Sequence, residues 1–166
     1  MTQLPKVRPG ALLVPTDFTD HSIEALAFAL DLGARLGRDV VLLHVIHDPA
    51  ESPGFYTQSK SGLRTMDDVA QEMMDDFLAK AHKAHPDINM APLVRMTISG
   101  IPTQRILEVA KKIDAAQIVM GSHGRHGIRA FLIGSKALKV VQWSPIPVTI
   151  VKARAAVSAL SQPPSA

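Results

Sequence analysis

The chain contains no cysteine, which excludes disulfides, thiolate metal sites and a cysteine nucleophile. Aromatic residues make up only 4% of it, with Trp143 the single tryptophan and Tyr56 the single tyrosine. Basic residues are therefore not interleaved with stacking rings, and no specific nucleic-acid partner is expected. Long apolar runs are missing too. The longest unbroken stretches, such as Val40 to Leu43, fall far short of the ~20 residues that a membrane helix needs. Behind Lys6 and Arg8, the stretch Ala11 to Val14 is interrupted by Pro15 and Asp17, too soon for a signal peptide. A cytoplasmic protein with no membrane partner is the expectation. Acidic residues are absent after Asp114, whereas Arg125, Arg129, Lys136, Lys139, Lys152 and Arg154 lie beyond it. That asymmetry, hidden inside a net charge of +3, fits either an anionic partner near the C-terminal third or a solvated basic face.

What is present is enough for one domain: 166 residues, 46% hydrophobic and 20% charged, support a single core. Apolar runs alternate with helical periodicity. Ala11 to Pro15 reads as a buried first strand. Thr19 to Leu36 reads as a helix with Ile23, Leu26, Ala27, Leu30 and Ala34 on one face, capped by Thr19 or Asp20 and ended by Gly37. Val40 to Ile46 is apolar without alternation, the pattern of a strand covered on both faces. His47 to Thr65, rich in Pro, Gly and Ser, reads as an irregular excursion. A second helix follows over Met66 to His85, facing inward through Val69, Met73, Phe77 and Ala81. Leu93 to Ile98 gives a third strand, and Pro102 opens a third helix reaching about Ile113. Gln117 to Met120 is a fourth strand, Ser135 begins a fourth helix running through Leu138 and Val141, and Val148 to Val151 is a fifth strand.

This alternation predicts an α/β fold, a five-stranded parallel sheet with helices on both faces, Rossmann-like. Residues 1–10 form an N-terminal extension, 11–152 the domain, and 153–166 a loose tail. In such a sheet ligands bind beyond the strand carboxyl ends, where the strand order reverses. The fourth strand empties into Gly121-Ser122-His123-Gly124-Arg125-His126-Gly127, and Gly134-Ser135-Lys136 follows. Glycines there let the backbone approach a ligand, and free amides at a helix start suit a phosphate. The fourth helix also opens with Lys136 and Lys139 and has no acid, although helix starts favour acids by ~0.3–1 kcal/mol. A bound phosphate would satisfy amides and lysines together. Lys139, further along, is expected to project into water.

Gly121-x2-Gly124-x9-Gly134-Ser135 resembles the nucleotide loop of the ATP-binding universal stress proteins, adenine nucleotide alpha hydrolase-like in fold. The resemblance extends through Leu13-Val14-Pro15-Thr16-Asp17, Leu43-His44-Val45-Ile46, Gly100-Ile101-Pro102, Val119 to Gly124 and Pro145-Ile146-Pro147-Val148. It implies ATP or another adenine nucleotide lying across the strand ends; Mg2+ can accompany the nucleotide because phosphates and waters suffice to hold it. It further implies that Pro15, Thr16, Asp17 and Val45 line the nucleoside pocket with Met120 beside them. Gly121, His123 and Gly124 would then approach the ribose and phosphates, while Gly134 and Ser135 would hold the phosphates. Lys136 departs from the small apolar residue often found there; it would either add a phosphate contact or crowd the loop. Asp17 can accept from a ribose hydroxyl or an adenine amino group, or cap the first helix instead. The last strand, Val148 to Val151, is β-branched and reads as an edge open to pairing or covered by the tail; the resemblance implies a homodimer joined there, and a regulatory protein partner that reads the dimer is part of the expected function.

Competing chemistries are weaker. His82-x-x-His85 is expected on a wetted helix surface, and His123-x-x-His126 has no acidic neighbour, so no metal site from protein side chains is expected. Ser122 beside His123 lacks the Gly-x-Ser-x-Gly elbow, and Gly-x4-Gly-Lys-Ser/Thr is absent. No catalytic residue is identifiable, and ATP hydrolysis, if any, is expected to be slow. The function expected is an ATP-binding stress-response or regulatory module. The alternatives are a nucleotide-free dimerising scaffold, or an adenylating enzyme, disfavoured by the missing Ser-Gly-Gly-x-Asp-Ser loop.

Overall fold

The computed structural model describes residues 6–47, 65–122 and 133–152; the tail expected over 153–166 lies outside them. Among the described residues five strands, β1 (Leu12–Thr16), β2 (Val40–Ile46), β3 (Leu93–Ser99), β4 (Gln117–Gly121) and β5 (Val148–Val151), alternate with four helices, α1 (Asp20–Leu36), α2 (Met66–Ala84), α3 (Pro102–Lys112) and α4 (Ser135–Trp143). The strands form one sheet in the order β3-β2-β1-β4-β5, with every pairing parallel. Both β1 and β2 are buried throughout, which is why their sequences are almost continuously apolar.

Because side chains alternate along a strand, each central strand feeds two cores. Leu12 and Val14 of β1 join Val40, Leu42 and Val119 against Ile23, Leu26, Ala29 and Leu30 of α1 and Met74 and Phe77 of α2. Leu13, Val41, Leu43, Ile118 and Met120 face the other way, onto Ile106 and Val109 of α3 and Ala137 and Val140 of α4. Each of the larger aliphatic side chains, fully buried, stabilises the fold by roughly 1.5–3 kcal/mol.

The helix faces agree with the expected ones at Ile23, Leu26 and Leu30 of α1 and at Val69, Phe77 and Ala81 of α2, and differ at other positions. In α1 the buried stripe runs through Ser22, Ile23, Ala25, Leu26, Ala29, Leu30 and Gly33, while Ala34 is exposed and Ala27 only half-buried. A β-carbon on Gly33 would stand 2.8 Å from a Val40 methyl, so the helix comes close to the sheet where its residues are smallest. In α2, Met74 rather than Met73 is buried. In α4, Ala137 and Val140 face the core, whereas Leu138 and Val141 are exposed. Helix termini follow local chemistry. Thr65 and Asp68 form a reciprocal capping box at α2, which satisfies two amide groups that the helix start leaves free. Gly37, at φ 62°, ends α1 in the left-handed region.

The segment ahead of β1 is stapled to the pole where the strands begin. Arg8 donates to Asp39 through its backbone amide at 2.7 Å and its guanidinium at 2.7 and 3.2 Å. Arg38 donates to the Pro9 carbonyl at 2.7 Å, and Gly10 N–H to the Asp114 carbonyl at 2.8 Å. Gly10 has φ +80°, and the Arg38 guanidinium fills the space a side chain would need. The Arg8 hydrogen bonds hold the Asp39 carboxyl below its usual range.

Candidate functional site

The chain runs outward from β1 through β2 to β3, then returns to place β4 on the other side of β1. The order therefore reverses at the β1/β4 boundary, and the crevice beyond the carboxyl ends of these strands is where an α/β sheet of this kind receives a ligand. Three pieces of chain meet there.

The first is the elbow after β1. Asp17 Oδ1 accepts from Thr19 N–H at 3.3 Å, Thr19 Oγ1 at 2.7 Å and Ser22 Oγ at 2.8 Å. Thr19 occupies the N-cap position of α1, but its side chain caps no helix amide; its hydroxyl donates to Asp17 instead. Asp17 thus ties the N-cap residue and the Ser22 hydroxyl together at the entry to the helix, without itself capping a helix amide. Thr16 Oγ1 accepts from Phe18 N–H at 3.0 Å. Phe18 itself sits at φ 64°, a left-handed conformation that costs a residue with a β-carbon roughly 1–2 kcal/mol.

The second piece is the end of β4. Gly121 is placed by packing: a β-carbon there would lie 2.7 Å from the His21 carbonyl oxygen and 2.8 Å from its carbon. Its missing side chain admits the first turn of α1 against the strand. Ser122 is buried, and its amide donates to the Val151 carbonyl at 2.9 Å.

The third is the start of α4. Gly134 N–H donates to the Ser122 carbonyl at 2.9 Å, so the residue that caps the helix is tied directly to the residue that follows β4. This bond brings the two ends of the glycine loop together and sets the helix start beside the strand end. The first turn of α4 contains no acidic residue, and Ser135, Lys136 and Lys139 are all exposed.

The expected site residues fall into groups. Val45 and Met120 are buried in the core on the α3/α4 side, and the alternation of β1 puts Pro15 on that same side, next to Leu13. Thr16 is buried on the opposite side, paired in register with His44. Gly121, Gly134, Ser135 and Lys136 gather at the β4/α4 junction. His123 and Gly124 lie outside the described residues, as does most of the excursion between His47 and Thr65. The sequence reading missed Ser22 and Thr19 as partners of Asp17, although Asp-x-Thr ahead of a helix is a recognisable turn signal. It also missed Phe18 and His44. His82 is exposed, as expected, but His85 is not on a wetted surface: its Nε2 stands 3.1 Å from Glu24 Oε1, with both side chains mostly buried.

Other polar features lie elsewhere. A shallow groove of about 320 Å³ lined by Arg8, Arg38, Asp39 and Asn89 sits at the opposite pole. Glu108, on α3, is held below the usual carboxylate range by hydrogen bonds from Lys112 and Arg105. Among the described residues no three His, Asp or Glu side chains converge as metal ligands, and no helix is long and apolar enough to cross a membrane.

A parallel sheet with this strand order, whose fourth strand ends at the point of reversal, defines a Rossmann-like α/β protein. Residues 10–152 match the model of the universal stress protein family, and the chain belongs to that family. It is 28% identical over 141 residues to universal stress protein MJ0531 of Methanocaldococcus jannaschii, covering 85% of this chain and 81% of that one. The solved structure of the hypothetical protein MJ0577 superposes with a TM-score of 0.65 at 25% identity, covering 87% of this chain and 96% of that one. A universal stress protein from Archaeoglobus fulgidus, solved in complex with dAMP, has the same fold, with a TM-score of 0.59, 20% identity and coverage of 86% and 98%. The chain spans about half the length of the mycobacterial relatives it matches, 46% and 48% in two of them.

Proposed function

We propose that this protein is an adenine-nucleotide-binding regulatory module of the stress response, with ATP as its ligand. The observation that carries this reading is the Gly134 to Ser122 hydrogen bond, which ties the acid-free, lysine-bearing start of α4 to the strand end at the reversal point. Amides at a helix start attract phosphate, and Lys136 adds positive charge beside them. Pro15, Val45 and Met120 supply apolar surface for the nucleoside, and Asp17 keeps its second carboxylate oxygen for a ribose hydroxyl or the adenine amino group. His123, Gly124, Gly134 and Ser135 complete the phosphate side, with Mg2+ held by the phosphates and water. The dAMP complex of the Archaeoglobus fulgidus protein supports an adenine ligand for this fold.

Two copies join through β5 in this reading. Pro147 and Val151 turn their carbonyls toward β4, so the alternation of a strand leaves the amides of Val148 and Ile150 on the open edge. Release of a bound nucleotide from denatured, purified protein, identified by mass spectrometry, tests the ligand. ATP at a hundredfold excess over Kd adds ~2.7 kcal/mol of stability, a rise in Tm of roughly 5–11 °C at this chain length. Replacing Gly124 and Gly134 by valine should abolish that rise while leaving the fold intact. A protein that is empty and shows no shift with ATP, ADP, AMP or cyclic AMP leaves the dimerising scaffold as the better reading.

A further inference from the structure

We propose that Phe18 and His44 form a latch that holds the elbow after β1 in its left-handed turn, and that the latch positions Thr16 and Asp17 for the nucleoside. The inference rests on the pocket proposed above, but the latch itself is a matter of conformation and can be tested without ligand.

His44 is buried in β2, and its Nδ1 lies 3.0 Å from the Thr16 carbonyl oxygen. A carbonyl only accepts, so Nδ1 carries the hydrogen. That bond crosses from β2 to the last residue of β1, immediately before the chain departs from the sheet. The Phe18 ring stacks on the His44 ring with centroids 4.2 Å apart and planes 26° from parallel. It also meets the Phe77 ring of α2 at 5.7 Å. One histidine therefore grips both ends of the turn, Thr16 through its nitrogen and Phe18 through its ring. Phe18 occupies a backbone conformation at φ 64° that glycine would adopt with less strain, so its ring contacts account for the presence of an aromatic residue there. Asp17 lies between the two gripped residues. Its hydrogen bonds to Thr19 and Ser22 orient the carboxylate but do not bind the elbow to β2.

Three variants of the full chain separate the two grips. His44→Phe keeps a ring and removes the donor; His44→Asn keeps a short N–H donor and removes the ring. Phe18→Leu keeps apolar volume at a partly exposed position and removes the stacking, and it serves should either His44 variant fail to fold. Amide hydrogen exchange at Phe18 and Thr19, measured without nucleotide, should accelerate roughly tenfold in each, the factor carried by one ordinary hydrogen bond or ring contact. Exchange at Ile118 to Met120 should change less than about twofold. The Kd for ATP should rise about tenfold, whereas Phe18→Tyr, which retains the stack, should leave both readouts at the parent values. Unchanged exchange at the elbow overturns the latch whatever happens to binding. Acceleration spread evenly over the sheet also overturns it, because His44 would then serve the fold at large. A loosened elbow with an unchanged Kd refutes the positioning role. Should the parent protein bind no adenine nucleotide, the proposed function fails, and exchange alone decides the latch.

Discussion

Gly121→Ala offers a direct test of how the crevice is built. The added β-carbon would meet the His21 carbonyl oxygen at 2.7 Å and its carbon at 2.8 Å, both backbone atoms in the first turn of α1. Ordinary contact needs about 3.4 Å or more, so α1 and β4 must separate by several tenths of an ångström. No flexible side chain can yield in their place. Overpacking of this kind costs typically about 1–3 kcal/mol, which at this chain length lowers Tm by roughly 2–12 °C. Differential scanning calorimetry on the nucleotide-free protein measures it. Gly37→Ala is the control, since nothing lies within 4 Å of that position and only its φ of +62° is strained; the expected cost is about 1 kcal/mol. If Gly121→Ala melts within about a degree of the parent, the close approach of α1 to β4 is wrong.

Packing and charge set three further outcomes. Met74→Ala should destabilise by about 2–5 kcal/mol in urea titrations, because Met74 is fully buried, whereas Met73→Ala should cost less than about 1 kcal/mol. The Asp39 carboxyl is ionised more readily in the folded chain than in the unfolded one. Its stabilising contribution is therefore complete above the ordinary carboxylate range and is lost as pH falls through its lowered folded value; carboxyl NMR titration should show the Asp39 midpoint moving upward in Arg8→Gln. Val148→Pro removes an edge-facing amide without touching the ladder to β4; under the dimer proposed above, sedimentation velocity should report a dimer for the parent and a monomer for the variant.

The strands are legible in the sequence because buried parallel strands leave an unmistakable mark: Val40 to Ile46 is apolar at nearly every position and is buried at all of them. Pro102 and Gly37 mark a helix start and a helix end for reasons of backbone chemistry alone. Helix orientation is less legible. Hydrophobic periodicity favours large apolar residues, yet the closest approach to the sheet selects small ones, which is why Gly33 is buried in α1 and Ala137 takes the place expected of Leu138 in α4; Ala29 and Ala27 are the same size, and only the tertiary packing distinguishes them. At the site, the glycines and the acid-free helix start can be read from the chain, but the junction between Gly134 and Ser122 requires tertiary structure. The grip of His44 on Thr16 spans 28 residues, and no local pattern announces it.

The parallel sheet also fixes where the two ends of the described domain lie. Val151 pairs with Gly121 at the carboxyl end of the sheet, while Arg8 and Gly10 are fastened at the opposite end. Lys152 thus stands at the crevice end of the sheet, and Lys6, two residues ahead of Arg8, stands on the far side of the molecule. A fluorophore or fusion partner intended to sense ligand belongs at the first of these positions, and an immobilisation tag belongs at the second.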